Sequence, residues 1–217
     1  MRKVLLLSPH YDDAVLSAGQ FMAGRPDTEV VTIFNWRSSD ANVQTTYDAK
    51  CGFSTADEAV HARKAENEAA LALLRATSID VNVPDAQYGA PRNEDEFVLN
   101  RILSLIDKDY EFILSPIGLG HPDHIQTSNV AILLQNKLNI PLYMWEDIPL
   151  RVTEPELIWE RIQELKGQYH VKFEREKVGD GPMTDKIRAL LCYKSQIGTG
   201  ILDPWLIFTP ERFWKVS

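Results

Sequence analysis

Four consecutive apolar residues, Val4-Leu5-Leu6-Leu7, run straight into Ser8-Pro9-His10-Tyr11-Asp12-Asp13. An unbroken apolar run this short reads as a strand buried on both faces, the kind found in parallel sheets. A helix-like stretch over 14–23 follows it. Residues 29–34, rich in β-branched side chains, read as a second strand. Strand, helix, strand in that order implies a right-handed crossover and a parallel sheet. The alternation continues, with helices expected over 55–75, 97–106, 122–137, 154–166 and 184–196. Further strands are expected over 79–83, 111–115 and 140–145. Thr55 and Glu58 have capping-box spacing, and Pro122 suits a first helical position. Residues 169–178 read as a strand or an excursion. The tail, with Trp205, Phe208, Phe213 and Trp214, is expected to pack on the domain surface. The sum is an α/β sandwich around a mostly parallel sheet, with residues 1–217 as one domain.

The chain of 217 residues can bury a large core without staples, so a metal in it would be catalytic rather than structural. Its 23 basic and 31 acidic residues give a formal charge of -8, which opposes binding to nucleic acid or to anionic lipid. Cys51 and Cys192 are far apart in sequence and read as free thiols of a reducing compartment. The short apolar start is interrupted by Asp12 and Asp13, too early for a signal peptide. No stretch approaches the roughly 20 apolar residues of a membrane span. The expected setting is cytoplasmic, without integral membrane association. The oligomeric state is open, and a homo-oligomer is compatible with the sequence.

Two motifs carry the chemistry, and both follow a buried strand at the start of a helix, where α/β sheets bind ligands. In the first, His10 and Asp13 stand three residues apart, so one helical turn places them on one face, as two ligands of one ion require. Adjacent carboxylates at Asp12 and Asp13 are unfavourable in a crevice unless a cation compensates. Asp12 points elsewhere and could face a metal-bound water. The second is Gly120-His121-Pro122-Asp123-His124, with two histidines again at i, i+3. Neutral imidazole is a common zinc ligand. Each motif alone also reads as helix capping, since Asp is a favoured N-cap. Together they do not: three of the five histidines lie in these two short segments. His61, on an alanine-rich helix, and His170, in a polar stretch, read as surface or satisfied residues.

At these positions the sequence resembles the LmbE-like, or GlcNAc-phosphatidylinositol de-N-acetylase (PIG-L), family of zinc-dependent N-deacetylases. The usual first motif there is P-H-P-D-D or A-H-P-D-D, and the second is H-x-D-H. Arg63-Lys64-Ala65-Glu66 matches an R-x-x-E on the long helix. Lys186 through Tyr193, Ser195 and Gln196 match a late K-x-x-A-L-x-x-Y-x-S-Q pattern. Tyr11 replaces the more usual Pro, and Gln20 stands where a second Gly is common. The resemblance implies a Rossmann-like fold and one divalent metal, usually zinc, held by His10, Asp13 and His124. It implies Asp12 as general base, His121 as transition-state partner and Arg63 on the substrate side.

On that reading Asp12 takes the water's proton as the amide is attacked. His121, protonated and held by Asp123, stabilises the oxyanion or protonates the leaving amine. Asp85, Gln87 and Tyr88 follow one strand and Trp145, Glu146 and Asp147 another, and both sets could line the pocket. The polar connections 36–54 and 84–94 are long for a compact domain, and 36–54 reads as a lid. The expected substrate is a small N-acylated molecule of amino-sugar or glycoside type. Three other readings compete: an amidase for a non-sugar amine, a non-catalytic metal-binding regulator, and a nucleotide-binding module. The last lacks G-x-G-x-x-G and carries two carboxylates where a phosphate would sit.

Overall fold

A computed structural model describes residues 2–37, 40–107, 109–199 and 203–217. Residues 38–39, inside the expected lid, lie outside the described residues. The elements in chain order begin with β1 (Lys3–Ser8), α1 (Asp13–Ala23), β2 (Thr28–Thr32), α2 (Thr46–Lys50), α3 (Ala56–Leu74) and β3 (Thr77–Asp80). A 3-10 turn at Ala86–Tyr88 precedes α4 (Asp95–Leu105), β4 (Tyr110–Pro116), α5 (Pro122–Leu138) and β5 (Leu142–Trp145). The chain continues through α6 (Leu150–Thr153), α7 (Glu156–Tyr169), β6 (Phe173–Glu176), α8 (Met183–Leu190), α9 (Pro204–Ile207) and β7 (Phe213–Val216).

The sheet has the order β3-β2-β1-β4-β5-β7-β6. Its first five strands are parallel, and β7 runs antiparallel to both neighbours. Alternation along β1 assigns its side chains to two layers. Leu5 and Leu7 pack with Val98 and Ile102 of α4, Val130 and Leu134 of α5, and Ile158 and Ile162 of α7. Val4 and Leu6 pack with Val15 and Phe21 of α1, Leu71 of α3 and Leu190 of α8. The result is the expected three-layer sandwich. The sheet order reverses direction between β1 and β4, so the crevice above their carboxyl ends is the natural binding site. Both motifs follow these two strands.

Three boundaries differ from the sequence reading. Strand β3 stops at Asp80 because Asn82 takes a positive φ of 61° and breaks the ladder. Helix α8 ends at Leu190, and Tyr193 turns inward to donate to the backbone oxygen of Tyr11 and the side chain of Asn67. The tail is not a surface layer: β7 inserts between β5 and β6, with Phe213 and Trp214 buried.

Helix α1 bends at Ala18, which leaves helical geometry at φ -139°. The N–H groups freed beyond the bend donate to Glu211, from Gln20 at 2.7 Å and Phe21 at 2.9 Å. Buried Lys186 completes this cap, its Nζ 2.8 Å from Glu211. A Cβ on Gly19 would stand 2.9 Å from Lys186 Cγ, so the lysine stem requires glycine there. The late lysine of the sequence pattern is therefore structural: it holds the second half of the helix that carries the first motif.

Candidate active site

The first motif enters α1 directly from β1. Asp12 occupies the N-cap position with helical backbone angles and makes no capping bond, so its carboxylate is left to the crevice. Asp13 Oδ2 accepts from the backbone N–H of His10 at 2.9 Å and lies 3.2 Å from His10 Nδ1. The second motif is set by Gly118, whose φ of +87° favours glycine and where a Cβ would meet the His124 carbonyl at 2.7 Å. Arg161 of α7 pins the same turn, donating to Ser128 at 2.6 Å and to Ile125 O at 3.2 Å. His121 is the N-cap of α5, and its Nδ1 accepts from the Asp123 N–H at 3.2 Å. The capping reading thus holds for His121, and it leaves Nε2 as the nitrogen that can meet a substrate.

Asp13 Oδ2 also lies 3.2 Å from His124 Nε2. Each histidine has its other ring nitrogen on a carboxylate further out: His124 Nδ1 donates to Asp147 at 2.5 Å, and His10 Nε2 donates to Asp123 at 3.1 Å. Behind Asp123 stands Arg92, 2.6 Å from its second oxygen. Ligand atoms bound tetrahedrally at about 2.0–2.2 Å stand about 3.3–3.6 Å apart, close to these separations. An outer carboxylate on each ligand histidine is the usual support for a metal centre. The two contacts that His10 and His124 make to Asp13 therefore suit ligands of a shared divalent cation.

Among the described residues, two clusters have donor atoms that all lie within 4.8 Å of one another, His10-His121-His124 and His10-Asp85-Asp123. The first uses His121, which has no outer carboxylate in hydrogen-bond reach. The second uses groups already occupied: Asp85 by both the backbone and the side chain of Gln87, and Asp123 by Arg92 and the Ala86 N–H. We favour the set built on Asp13.

The carboxylates around the two imidazoles favour positive charge here. Burial alone would depress His10, but Asp85, Asp123 and Asp13 outweigh it and hold its pKa well above the ordinary value. Burial also opposes the charge on His124, yet Asp13 and Asp147 push it up to about 10. Burial would raise Asp13, but the two imidazoles hold it far below the usual carboxylate range. Burial, reinforced by the Asp13 charge, pushes Asp12 up to about 6. Burial and the two neighbouring histidines bring His121 down to about 4, and its Nδ1 accepts a hydrogen bond, so the ring is neutral rather than protonated as expected.

Around these groups lies a cavity of about 360 Å³, whose lining includes His10, Asp12, Asp13, His121, His124 and Asp147. Arg63, Asp85, Gln87 and Tyr88 also line it. Arg63 is not free: it sits 2.7 Å from Asp48 of α2, over the rings of Tyr47 and Phe53. The described part of the 36–54 connection is thereby clamped against α3. Asp123 departs from its expected partnership with His121, whose ring nitrogen stands 4.0 Å from its carboxylate, because that carboxylate is committed to His10, Ala86 and Arg92. Of the candidates after β5, only Asp147 reaches the cavity; Glu146 is buried among Arg151, Arg175 and Trp214. His61 and His170 are exposed and outside the site.

Sequence reasoning missed Arg92 altogether and missed the hold of Asp147 on His124. Asp147 had a signal, since it follows β5 as the two motifs follow β1 and β4. Arg92 had none, being one charge in a polar connection.

The fold and this site define a class. The PIG-L family model, GlcNAc-PI de-N-acetylase, matches residues 5–134. The chain belongs to that family and is an enzyme of the hydrolytic N-deacetylase class. Among solved structures it is similar to the A40926 pseudoaglycone deacetylase Dbv21, with 24% identity, 100% of this chain and 97% of that one covered, and a TM-score of 0.79. It is also similar to the zinc-inhibited form of teicoplanin deacetylase Orf2, at 22% identity, 99% and 98% coverage and a TM-score of 0.78. The N,N'-diacetylchitobiose deacetylase of Pyrococcus horikoshii shares 16% identity, with 100% and 84% coverage and a TM-score of 0.60. At these identities the structures establish the fold. A comparison with curated protein sequences gave no match. No helix among the described residues is long and apolar enough to cross a membrane.

Proposed function

We propose that this chain, as a single deacetylase domain over 1–217, removes an N-acyl group, in the first instance acetyl, from a small amino-sugar or glycoside-type molecule. The observation that carries the reading is the convergence of His10 Nδ1 and His124 Nε2 on one oxygen of Asp13, with Asp12 and His121 lining the same cavity. His10, Asp13 and His124 would hold one divalent ion per chain, zinc by the chemistry of the donors. When bound, such an ion supplies Lewis-acid chemistry, drawing charge from an amide carbonyl and making water acidic.

The protein's own groups do the rest. Asp12, buried and free of any capping bond, receives the proton of the attacking water. His121, neutral and fixed through Nδ1, presents its Nε2–H to the oxygen on which charge develops. Asp147 and Asp123 keep the ligand imidazoles in one orientation. The products are a carboxylic acid and a free amine. A purely metal-holding regulator would need neither Asp12 nor His121, which disfavours that alternative. The diacetylchitobiose deacetylase named above supports a sugar-type substrate. The test is acetate release from N-acetylglucosamine, its disaccharide and simple glycosides, with zinc and with chelator. Release that chelator abolishes is expected. Release indifferent to chelator would reject the metal-dependent reading.

A further inference from the structure

The two ligand histidines of the proposed metal centre rest on carboxylates that are themselves held in different ways. Asp147, behind His124, is fixed by the backbone N–H of Gly118 at 3.0 Å. Asp123, behind His10, is fully buried, and its two oxygens have separate partners. Oδ2 lies 3.1 Å from His10 Nε2 and accepts from the Ala86 N–H at 3.0 Å. Oδ1 accepts from Arg92 Nη1 at 2.6 Å, and Arg92 is its one donor among the described residues. The start of α5 holds Arg92 in turn. Its Nη2 donates to the Pro122 carbonyl at 3.0 Å and to Gln126 Oε1 at 2.6 Å. Its guanidinium also stands over the Phe34 ring, 5.6 Å from the centre. A planar fork with three acceptors has little freedom to turn. An aspartate carboxylate does have that freedom, because its terminal torsion is broad. Without a donor on Oδ1, Asp123 would be a buried charge short of partners, which is costly.

We infer that Arg92 is a positioning residue for the metal centre. It fixes the plane of the Asp123 carboxylate, and that carboxylate fixes the ring of His10. This rests on the metal-dependent reading and deepens it. His124 is supported from the backbone, through Asp147 and Gly118, whereas His10 is supported by a side chain that the 84–94 connection supplies. The same connection places Asp85, Gln87 and Tyr88 in the cavity lining, and its Ala86 N–H shares the Asp123 oxygen that faces His10. One carboxylate therefore joins a metal ligand to a cavity-lining segment, and Arg92 keeps that carboxylate in register. Partners of ligand histidines typically account for 10–100-fold in metal affinity. Arg92 stands one hydrogen bond further out, so the lower end of that range, about tenfold, is the effect to expect.

The experiment measures zinc affinity by competition with a chromophoric chelator, for the wild type, Arg92→Met, Arg92→Lys and Gln126→Ala. The Arg92 side chain is 39% exposed, so replacing it opens no cavity in the core. Arg92→Met is expected to bind zinc about tenfold more weakly. Arg92→Lys keeps the charge without the fork and is expected to fall between Arg92→Met and the wild type. Gln126→Ala releases the connection at Asn93 and Asp95 but leaves the Arg92–Asp123 bond, and it is expected to bind zinc as the wild type does. Urea titration of the metal-free proteins separates positioning from a merely structural role. A loss of stability in Arg92→Met with unchanged zinc affinity would overturn the inference, and so would equal weakening in Arg92→Met and Gln126→Ala. If Arg92→Met does not fold, Arg92→Lys decides, and wild-type affinity in that variant would overturn the inference. Each of these results leaves the metal-dependent reading intact. Failure of the wild type itself to bind zinc would reject that reading, and the inference with it.

Discussion

His124 donates its Nδ1–H to Asp147 at 2.5 Å, and that bond turns Nε2 toward Asp13 at 3.2 Å. Asp147 is itself fixed by the Gly118 N–H at 3.0 Å, so the β5 terminus orients a ligand that sits on α5. Loss of such an outer carboxylate typically costs 10–100-fold in metal affinity. Asp147→Asn keeps an acceptor for Gly118 and is expected to weaken zinc binding by about that factor. Competition against a chromophoric chelator measures it. Unchanged affinity would show that His124 is oriented by something else.

Asp12 and Asp13 are neighbours with different duties. Asp13 contacts both histidines, whereas Asp12 is buried without a capping bond. Asp12→Ala is expected to bind zinc as wild type does and to lose roughly 10²–10⁴-fold in kcat, the usual share of general-base catalysis. A variant that loses zinc yet keeps its turnover per bound metal would make Asp12 a ligand instead.

Lys186 and Glu211 form a buried ion pair beneath the bend in α1. Removing one partner strands the other charge, and such changes cost about 3–5 kcal/mol. Lys186→Ala is expected to lower stability to urea by that order, whereas Lys186→Met combined with Glu211→Gln should recover most of it. Urea titrations of both variants decide, and a single-variant loss below about 1 kcal/mol would contradict a stranded charge.

Glu29 supplies the pH prediction. Burial would raise its pKa, but hydrogen bonds from Tyr110 and Lys3 outweigh burial and lower it. A lowered folded-state value means more protons bound in the unfolded chain as pH falls, so stability falls with it. The contribution is complete above the unfolded glutamate value of about 4.3 and disappears as pH drops through the lowered folded value. The stability gap between wild type and Glu29→Gln should therefore be present at about pH 6 and shrink below about pH 4. A gap that grows on acidification would reverse the sign.

The alternating elements and the two motifs were legible because each rests on local pattern: a fully apolar β1, a capped α3, and histidines at i, i+3. The cap at Thr55 forms as expected, although Glu58 reaches back to the Ser54 N–H rather than to that of Thr55. What was not legible depends on distant pairings. Nothing local marks Phe213–Val216 as an inserted strand, because its partners lie on β5 and β6. Arg63 lines the cavity, but its carboxylate partner, Asp48 on the lid segment, was not legible. Arg92 gains meaning only once Asp123 turns toward His10.

The central claim is that His10, Asp13 and His124 hold the ion on which turnover depends. Its most direct test is titration of zinc into chelator-stripped protein while N-deacetylation is followed on a turned-over substrate. The account predicts no turnover at the start, a linear rise and a plateau at one equivalent per chain, with His124→Ala showing neither the rise nor tight binding. Full turnover by the stripped protein, or an unchanged titration in His124→Ala, would contradict it.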